Sequence, residues 1–174
     1  MEREIVASAL APYIQGTKVL DLACGTGYYC KDFIQWGATR VEGVDVSESM
    51  VNAAKKASVG DERLSFLVAD GAKAVEYEGG PFDIVFGSWL LNDASNGEEM
   101  ADMYRNIALN LKDGGRFVGV TPYSTEDPKT YTEESEATRP GLGKDIVVTV
   151  NYEVEEGVET QLVPVTKAGN VEFD

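Results

Sequence analysis

The sequence contains no histidine and only two cysteines, and each scarcity excludes a class of chemistry. Without histidine the chain cannot form a Ser-His-Asp triad, a histidine acid–base pair or a histidine metal site. Cys24 and Cys30 stand six positions apart, which is neither the spacing of a C-x-x-C redox pair nor that of a zinc site. We therefore expect two reduced thiols, no bound metal and an intracellular protein.

Positive charge is also scarce, with 15 Lys and Arg against 30 Asp and Glu and a net charge of −15. Nucleic acids and anionic membranes carry negative phosphates, so this excess of acid argues against either as the main partner. No apolar run approaches the ~18 residues that span a bilayer. The first residues, MEREIVASALAPYI, lack the apolar core of a signal peptide. We therefore expect a cytoplasmic protein that binds neither nucleic acid nor membrane.

Strands and helices alternate along the first two thirds of the sequence. The length of 174 residues and the apolar fraction of 43% are typical of one globular domain. Short apolar segments at Lys18–Ala23, Thr39–Val46 and Leu64–Ala69 indicate buried strands, and segments with helical spacing separate them. This alternation predicts a doubly wound α/β domain with a mostly parallel sheet, whose ligands bind at the carboxyl ends of the strands.

The pattern changes in the last third of the chain. Residues 145–155 and 158–166 read as two strands, which predict an additional β-hairpin. We therefore divide the chain into a ligand-binding α/β core, residues 1–122, and an acidic, strand-rich extension of the same domain, residues 123–174. The hairpin could be a lid or could close the sheet. If the closing strands are missing, the fifth strand is an exposed edge that a second copy or a partner chain could cover.

The most informative motif is VLDLACGTGYYC at residues 19–30. Gly25 and Gly27 permit unusual backbone angles and let a ligand approach the main chain closely. Asp21 brings a carboxylate to the end of the strand, where it could meet an amine or ammonium group. A dinucleotide fingerprint would need a third glycine at the place of Cys30, and a carboxylate at Asp21 would repel a pyrophosphate. A nicotinamide-dependent oxidoreductase is therefore disfavoured.

Four further motifs follow in order: VDVS at residues 44–47, ADG at 69–71, FDIVFGSWL at 82–90 and LKDGGRF at 111–117. Together with the first motif they resemble the class I S-adenosylmethionine-dependent methyltransferases. VLDLACGTG resembles their first motif, with Ala23 where many members have glycine. The resemblance covers residues 19–120 and implies the Rossmann-like methyltransferase fold. LLND at residues 90–93, followed by a Glu-rich helix, most resembles the small-molecule branch, similar to toxoflavin synthase and the methyltransferases of ubiquinone biosynthesis.

The resemblance implies S-adenosylmethionine as cofactor and S-adenosylhomocysteine as product. Asp45, at the end of the second strand, matches the acid that holds the ribose hydroxyls. Met50 matches a residue that packs on the adenine, and Asp70 matches one that accepts a hydrogen bond from the adenine amino group. The cofactor-side residues implied in this way are Asp21, Ala23, Cys24, Gly25, Gly27, Asp45, Val46, Met50, Asp70, Gly71, Ser88 and Trp89.

The acceptor side is less defined in the sequence. Tyr29, Asn92 and Tyr123 are candidates for contact with the acceptor, and Asp93 is a candidate base by position alone. A methyl group on a sulfonium is already activated, so the protein mainly supplies alignment and exclusion of water. A base is needed only where the acceptor must lose a proton. The implied function is in-line methyl transfer to a small organic acceptor.

Structural alternatives remain open at several of these positions. Asp70 could cap the turn that follows it, Met50 could be a core residue, and Cys24 and Cys30 could be small buried packing residues. The whole chain also has an alternative, because it is short for the family. It could be a truncated methyltransferase-like module that binds the cofactor or a partner chain without catalysis.

Overall fold

The computed structural model describes residues 2–122, 145–151, 163–166 and 169–170. Its strands are β1 (Lys18–Leu22), β2 (Arg40–Asp45), β3 (Leu64–Val68), β4 (Phe82–Ser88), β5 (Leu111–Pro122), β6 (Asp145–Asn151), β7 (Val163–Thr166) and β8 (Gly169–Asn170). Its helices are α1 (Glu2–Leu10), α2 (Tyr28–Trp36), α3 (Glu48–Ala57) and α4 (Gly97–Asn110), and a short 3-10 helix covers Leu90–Asp93.

The strands form one sheet in the order β3-β2-β1-β4-β5-β6-β7-β8. The pairs β1–β2, β2–β3, β1–β4 and β4–β5 are parallel, which confirms the predicted doubly wound sheet. From β1 the chain winds outward through β2 and β3, and it then returns to place β4 on the other side of β1. Ligands of such sheets bind where the winding changes direction, so the fold directs attention to the carboxyl ends of β1, β2 and β4.

The strands of the last third extend the sheet. β6 pairs antiparallel with β5, from Arg116 opposite Asn151 to Pro122 opposite Asp145, and β7 pairs antiparallel with β6. Within the described residues, the strands of the predicted antiparallel pair extend the sheet beyond β5. The alternative in which the closing strands are missing and β5 is an exposed edge differs from the structure, because β6 of the same chain pairs along β5. The predicted junction at Glu156 and Gly157 lies outside the described residues.

The two faces of the sheet carry separate apolar cores, because successive side chains of a strand point to opposite faces. One core packs α1, α2 and α3 against the sheet, and the other packs α4 and the 3-10 helix against it. In β1, for example, Val19 belongs to the first core and Leu20 to the second, and neither side chain is exposed. Burying one such side chain contributes ~1.5–3 kcal/mol, so both layers stabilise the strand ends that carry the site.

Two asparagines on α4 fix the segment between β3 and β4, residues 69–81, which contains no helix or strand. Asn106 accepts a hydrogen bond from the Val75 amide at 3.1 Å and donates to the Gly71 carbonyl at 2.9 Å. Asn110 donates to the Val75 carbonyl at 2.8 Å. Residues four apart lie on one helical face, and here both amides are buried among apolar neighbours. They hold Gly71 in place beside the end of β3.

Candidate functional site

The glycine turn after β1 takes a left-handed backbone at three positions, with φ of 65° at Ala23, 54° at Gly25 and 75° at Gly27. A Cβ atom at Gly27 would lie 2.9 Å from the Phe66 ring, so that glycine is needed for packing against β3. A Cβ at Gly25 would meet nothing within 4 Å. Gly25 therefore borders open space at the carboxyl end of β1, where a ligand can approach the main chain.

Asp45 ties this turn to the end of β2. Its Oδ2 accepts a hydrogen bond from the Gly25 amide at 2.7 Å, and its Oδ1 accepts one from the Ser47 amide at 2.8 Å. The Ser47 hydroxyl in turn accepts from the Met50 amide and caps α3. A carboxylate oxygen has two lone pairs, so each oxygen of Asp45 retains one for a ligand. The arrangement presents two fixed acceptors beside the open space at Gly25.

Asp21 lies beneath the same turn and is 1% exposed. Its Oδ2 accepts a hydrogen bond from the Cys30 thiol at 3.1 Å. Burial raises the pKa of Asp21 to about 7, the thiol hydrogen bond lowers it, and the charge of Asp45 raises it. Among the described residues, none donates a hydrogen bond to Oδ1 of Asp21. A cationic or N–H group of a ligand would supply what this oxygen lacks.

The two thiols are both free and buried, as expected for packing residues. A Cβ atom at Gly43 would lie 2.9 Å from the Cys24 sulfur, so the turn packs tightly on β2. Hydrogen bonding with Cys24, burial and the charge of Asp21 raise the pKa of Cys30. Cys30 therefore keeps its proton and remains a donor. Its bond to Asp21 is a role that packing alone did not predict.

Three apolar side chains are exposed after the strands that end at this edge. Val46 is 71% exposed, Met50 44% and Trp89 42%. The alternative that Met50 is a core residue is therefore wrong. Trp89 has a φ of 65°, which is rare for a bulky residue, and strained backbone of this kind clusters at functional sites. Exposed apolar side chains at a strand end can cover a flat ring.

The remaining cofactor-side candidates lie at the ends of β3 and β4. Asp70 accepts a hydrogen bond from the Ala72 amide at 3.0 Å and pairs with Lys73 at 3.3 Å, so it caps the turn that follows it. A Cβ at Gly71 would lie 3.2 Å from a Leu90 methyl carbon. Ser88 is the last residue of β4. The structure thus brings the candidates from four strand ends to one edge of the sheet.

The acceptor-side candidates are not brought together. Tyr29 is 8% exposed, its ring stacks on Phe33, and its hydroxyl donates to Glu2 at 2.6 Å. It therefore belongs to the core and to the contact with α1, not to an open acceptor site. Asn92 and Asp93 are exposed on the 3-10 helix. Tyr123 lies outside the described residues.

A cavity of about 530 Å³ lies away from this edge. Its lining residues are Lys18, Arg40, Glu42, Ser65, Phe66, Leu67, Glu78, Gly79 and Gly80. Lys18 and Arg40 begin β1 and β2, so the cavity opens near the amino ends of the strands and contains none of the candidates. Within the described segments, no cluster of His, Cys, Asp or Glu is arranged to hold a metal ion. Those segments also hold no helix of sufficient length and apolarity to cross a membrane.

Sequence comparison agrees with this geometry. The model of the methyltransferase domain family matches residues 19–115, which include all of β1 but its first residue, the glycine turn, and β2 to β4. The chain therefore belongs to this family, and its fold is that of the class I S-adenosylmethionine-dependent methyltransferases.

Several similar proteins are named as methyltransferases. The chain is 32% identical to the demethylmenaquinone methyltransferase of Clavibacter sepedonicus over 71% of this chain and 47% of that protein. It is 27% identical to the 27-O-demethylrifamycin SV methyltransferase of Amycolatopsis mediterranei over 84% of this chain and 53% of that one. A crystal structure of an S-adenosylmethionine-dependent methyltransferase from Mesorhizobium loti superimposes with a TM-score of 0.60 at 28% identity, over 71% of this chain and 55% of that one. The chain spans about half the length of the curated relatives it matches.

S-adenosylmethionine is the cofactor of this family, and the donors and acceptors around the open space at Gly25, here called the cleft, fit it. Asp45 offers two acceptor lone pairs suited to neighbouring hydroxyls, and Asp21 offers an unpartnered carboxyl oxygen suited to an ammonium. Gly25 leaves the main chain open, and Met50 is exposed nearby on α3.

Proposed function

We propose that this chain transfers the methyl group of S-adenosylmethionine to a small organic acceptor. The observation that carries the proposal is the junction of Gly25 and Asp45 above the buried Asp21, because it combines open space with three free acceptor sites. Two relatives named for small acceptors, a demethylmenaquinone and a demethylrifamycin, support the acceptor class.

Different residues of the cleft bind different parts of the cofactor. The lone pairs left on Asp45 accept from the ribose hydroxyls, and Oδ1 of Asp21 receives the ammonium of the methionine part. Val46 and Met50, both exposed, cover the adenine. Asp70 keeps the end of β3 in place through its own turn.

When bound, the cofactor supplies a methyl group on a cationic sulfur, ready for in-line displacement. The protein then contributes alignment of the acceptor, which accounts for ~7–11 kcal/mol of the barrier in well-oriented systems. Trp89, half-exposed after β4, excludes water from the side of the cleft on which the acceptor enters. Asp93 on the 3-10 helix takes the proton where the acceptor is a hydroxyl.

The truncated, non-catalytic module is not favoured. Its motivation was the shortness of the chain for the family, and within the described residues β6 pairs along β5. Binding of the cofactor without methyl transfer to any acceptor would support this alternative.

Transfer of a radiolabelled methyl group tests the proposal directly. The chain is incubated with labelled S-adenosylmethionine and a panel containing a demethylmenaquinone-type quinol, a phenol and an aminoalcohol. Label is expected in at least one acceptor, and Asp45→Asn is expected to abolish the transfer. Asp102→Asn, on the exposed face of α4, is the matched control. Tight cofactor binding by calorimetry without transfer to any acceptor in the panel would overturn the catalytic proposal.

A further inference from the structure

We propose that Cys30 is a positioning residue that orients the carboxyl group of Asp21 in the cleft and favours its ionised form. The role of Asp21 toward the cofactor rests on the proposed function, whereas the bond between Cys30 and Asp21 is a property of the chain itself. The thiol thereby sets the pH range in which the cleft accepts a cationic ligand group.

Geometry makes Cys30 the specific partner of this acid. It stands in the first turn of α2, which begins at Tyr28 directly after the glycine turn. Its sulfur lies 3.1 Å from Oδ2 of Asp21. Cys30 is 0% exposed and Asp21 1%, so water does not compete at this bond. No other side chain or amide in the described part of the chain donates to Asp21.

The Cys30 thiol shifts the pKa of Asp21 in the opposite direction from the other features around that carboxyl group. Burial and the charge of Asp45 on β2 raise the pKa of Asp21, and the hydrogen bond from Cys30 on α2 lowers it. Cys24 in the glycine turn acts on Cys30, and its hydrogen bond helps to raise the pKa of that thiol. Those three groups are the titratable neighbours, from three different elements, and Cys30 alone shifts Asp21 toward ionisation.

A pH dependence of ligand affinity follows. Ionised Asp21 receives an ammonium group better than the neutral acid does, so affinity should rise as the pH passes through about 7. Removing the donor moves that midpoint upward, because a hydrogen bond to the charged form favours that form. A side chain that only filled space would change affinity or stability equally at every pH.

Calorimetric titration with S-adenosylhomocysteine between about pH 5.5 and about 8.5 brackets the Asp21 pKa of about 7. It measures the pH at which the affinity is halfway between its low-pH and high-pH values. Cys30→Ala is expected to move it upward by roughly 0.5–1 pH unit, which is roughly a 3- to 10-fold loss of affinity below the midpoint. Cys30→Ser keeps a donor and is expected at or below the wild-type midpoint. Asp102→Asn, on the exposed face of α4, is the control and should leave the midpoint unchanged. Where the alanine variant fails to fold, Cys30→Val fills the site without a donor.

An unchanged midpoint in the donor-free variant would overturn the proposal. A second readout needs no ligand, since the carboxyl carbon of Asp21 can be titrated by NMR in the cofactor-free protein. Its apparent pKa should rise in Cys30→Ala and not in Cys30→Ser. If no variant, wild type included, binds S-adenosylhomocysteine, the proposed function fails while the NMR titration still decides the role of Cys30.

Discussion

Two aspartates at neighbouring strand ends meet opposite environments. Asp45, partly exposed at the end of β2, accepts backbone amides on both carboxylate oxygens. Asp21, buried within β1, receives a single thiol. Backbone amides fix a carboxylate and solvate its charge, whereas a thiol is a weak donor that compensates burial only in part. The comparison shows that one strand edge can hold an acceptor fixed by two backbone amides beside a buried acid whose pKa is raised to about 7.

The two acids are also coupled. The charge of Asp45 is among the causes that raise the pKa of Asp21. A substitution of Asp45 therefore also changes the electrostatic environment of Asp21, so single substitutions report on both aspartates.

Replacing the fixed acceptor should give the largest effect. Asp45→Asn removes the charge and turns one acceptor into an N–H group, which then faces a backbone amide. Hydrogen bonds to a charged group contribute ~1.5–3 kcal/mol each, and the substitution removes one acceptor and the charge behind the other, which predicts roughly 100-fold weaker binding of S-adenosylhomocysteine, or more. Calorimetry on folded protein measures this, with Asp102→Asn as the surface control. A change below about 3-fold would remove Asp45 from the binding site.

Replacing the titrating acid should change the pH dependence of stability. The pKa of Asp21 is about 7 in the folded chain against an ordinary 3.8, so its stabilising contribution is full below about 4 and is lost as the pH rises to about 7. Asp21→Asn lacks this loss. Its free energy of unfolding relative to wild type should thus increase by about 2–3 kcal/mol between about pH 5 and pH 8.

Urea unfolding at the two pH values measures this difference. Glu48→Gln, which removes an exposed carboxylate, is the control and should show no such increase. Parallel pH profiles of Asp21→Asn and wild type would mean that Asp21 does not titrate in this range.

The glycine turn separates a ligand contact from a packing contact. Gly25→Ala adds a methyl group where nothing lies within 4 Å, whereas Gly27→Ala places one 2.9 Å from the Phe66 ring. Both pay for a left-handed φ, ~1 kcal/mol. We expect Gly25→Ala to lose about 10-fold in cofactor affinity with little further loss of stability, and Gly27→Ala to lose more stability. If both variants lose cofactor affinity equally, after correction for the unfolded fraction, the interpretation that Gly25 borders open space is contradicted.

The parts of this pair that the sequence predicted are those with a local signature. The strand-turn-helix around Gly25 and the acid at the end of β2 could both be placed from motif and spacing, and the parallel sheet followed from alternation. The thiol bond of Asp21 could not, because it depends on which way α2 turns its first residues toward β1. The only available signal was that Cys30 and Phe33 share an inward helical face.

Contacts between residues far apart in the chain were the other feature that the sequence did not predict. Tyr29 looked accessible beside the turn, but α1 covers it through the hydroxyl bond to Glu2, a contact between residues far apart in the chain. The pairing of β6 with β5 likewise depends on register across the sheet, which apolar spacing alone does not fix.

The smallest expected effect concerns the turn that joins the two ends. Ala23 has a φ of 65°, a left-handed conformation in which an L side chain costs ~1–2 kcal/mol. Glycine would remove that strain from the folded chain, whereas the greater conformational entropy of the unfolded chain would offset part of the gain. Ala23→Gly should therefore stabilise the chain by up to ~1 kcal/mol. Ala7→Gly in α1 is the matched control and should destabilise by ~1 kcal/mol. Denaturant unfolding measures both, and a loss of stability in Ala23→Gly would mean that the turn is not strained at this residue.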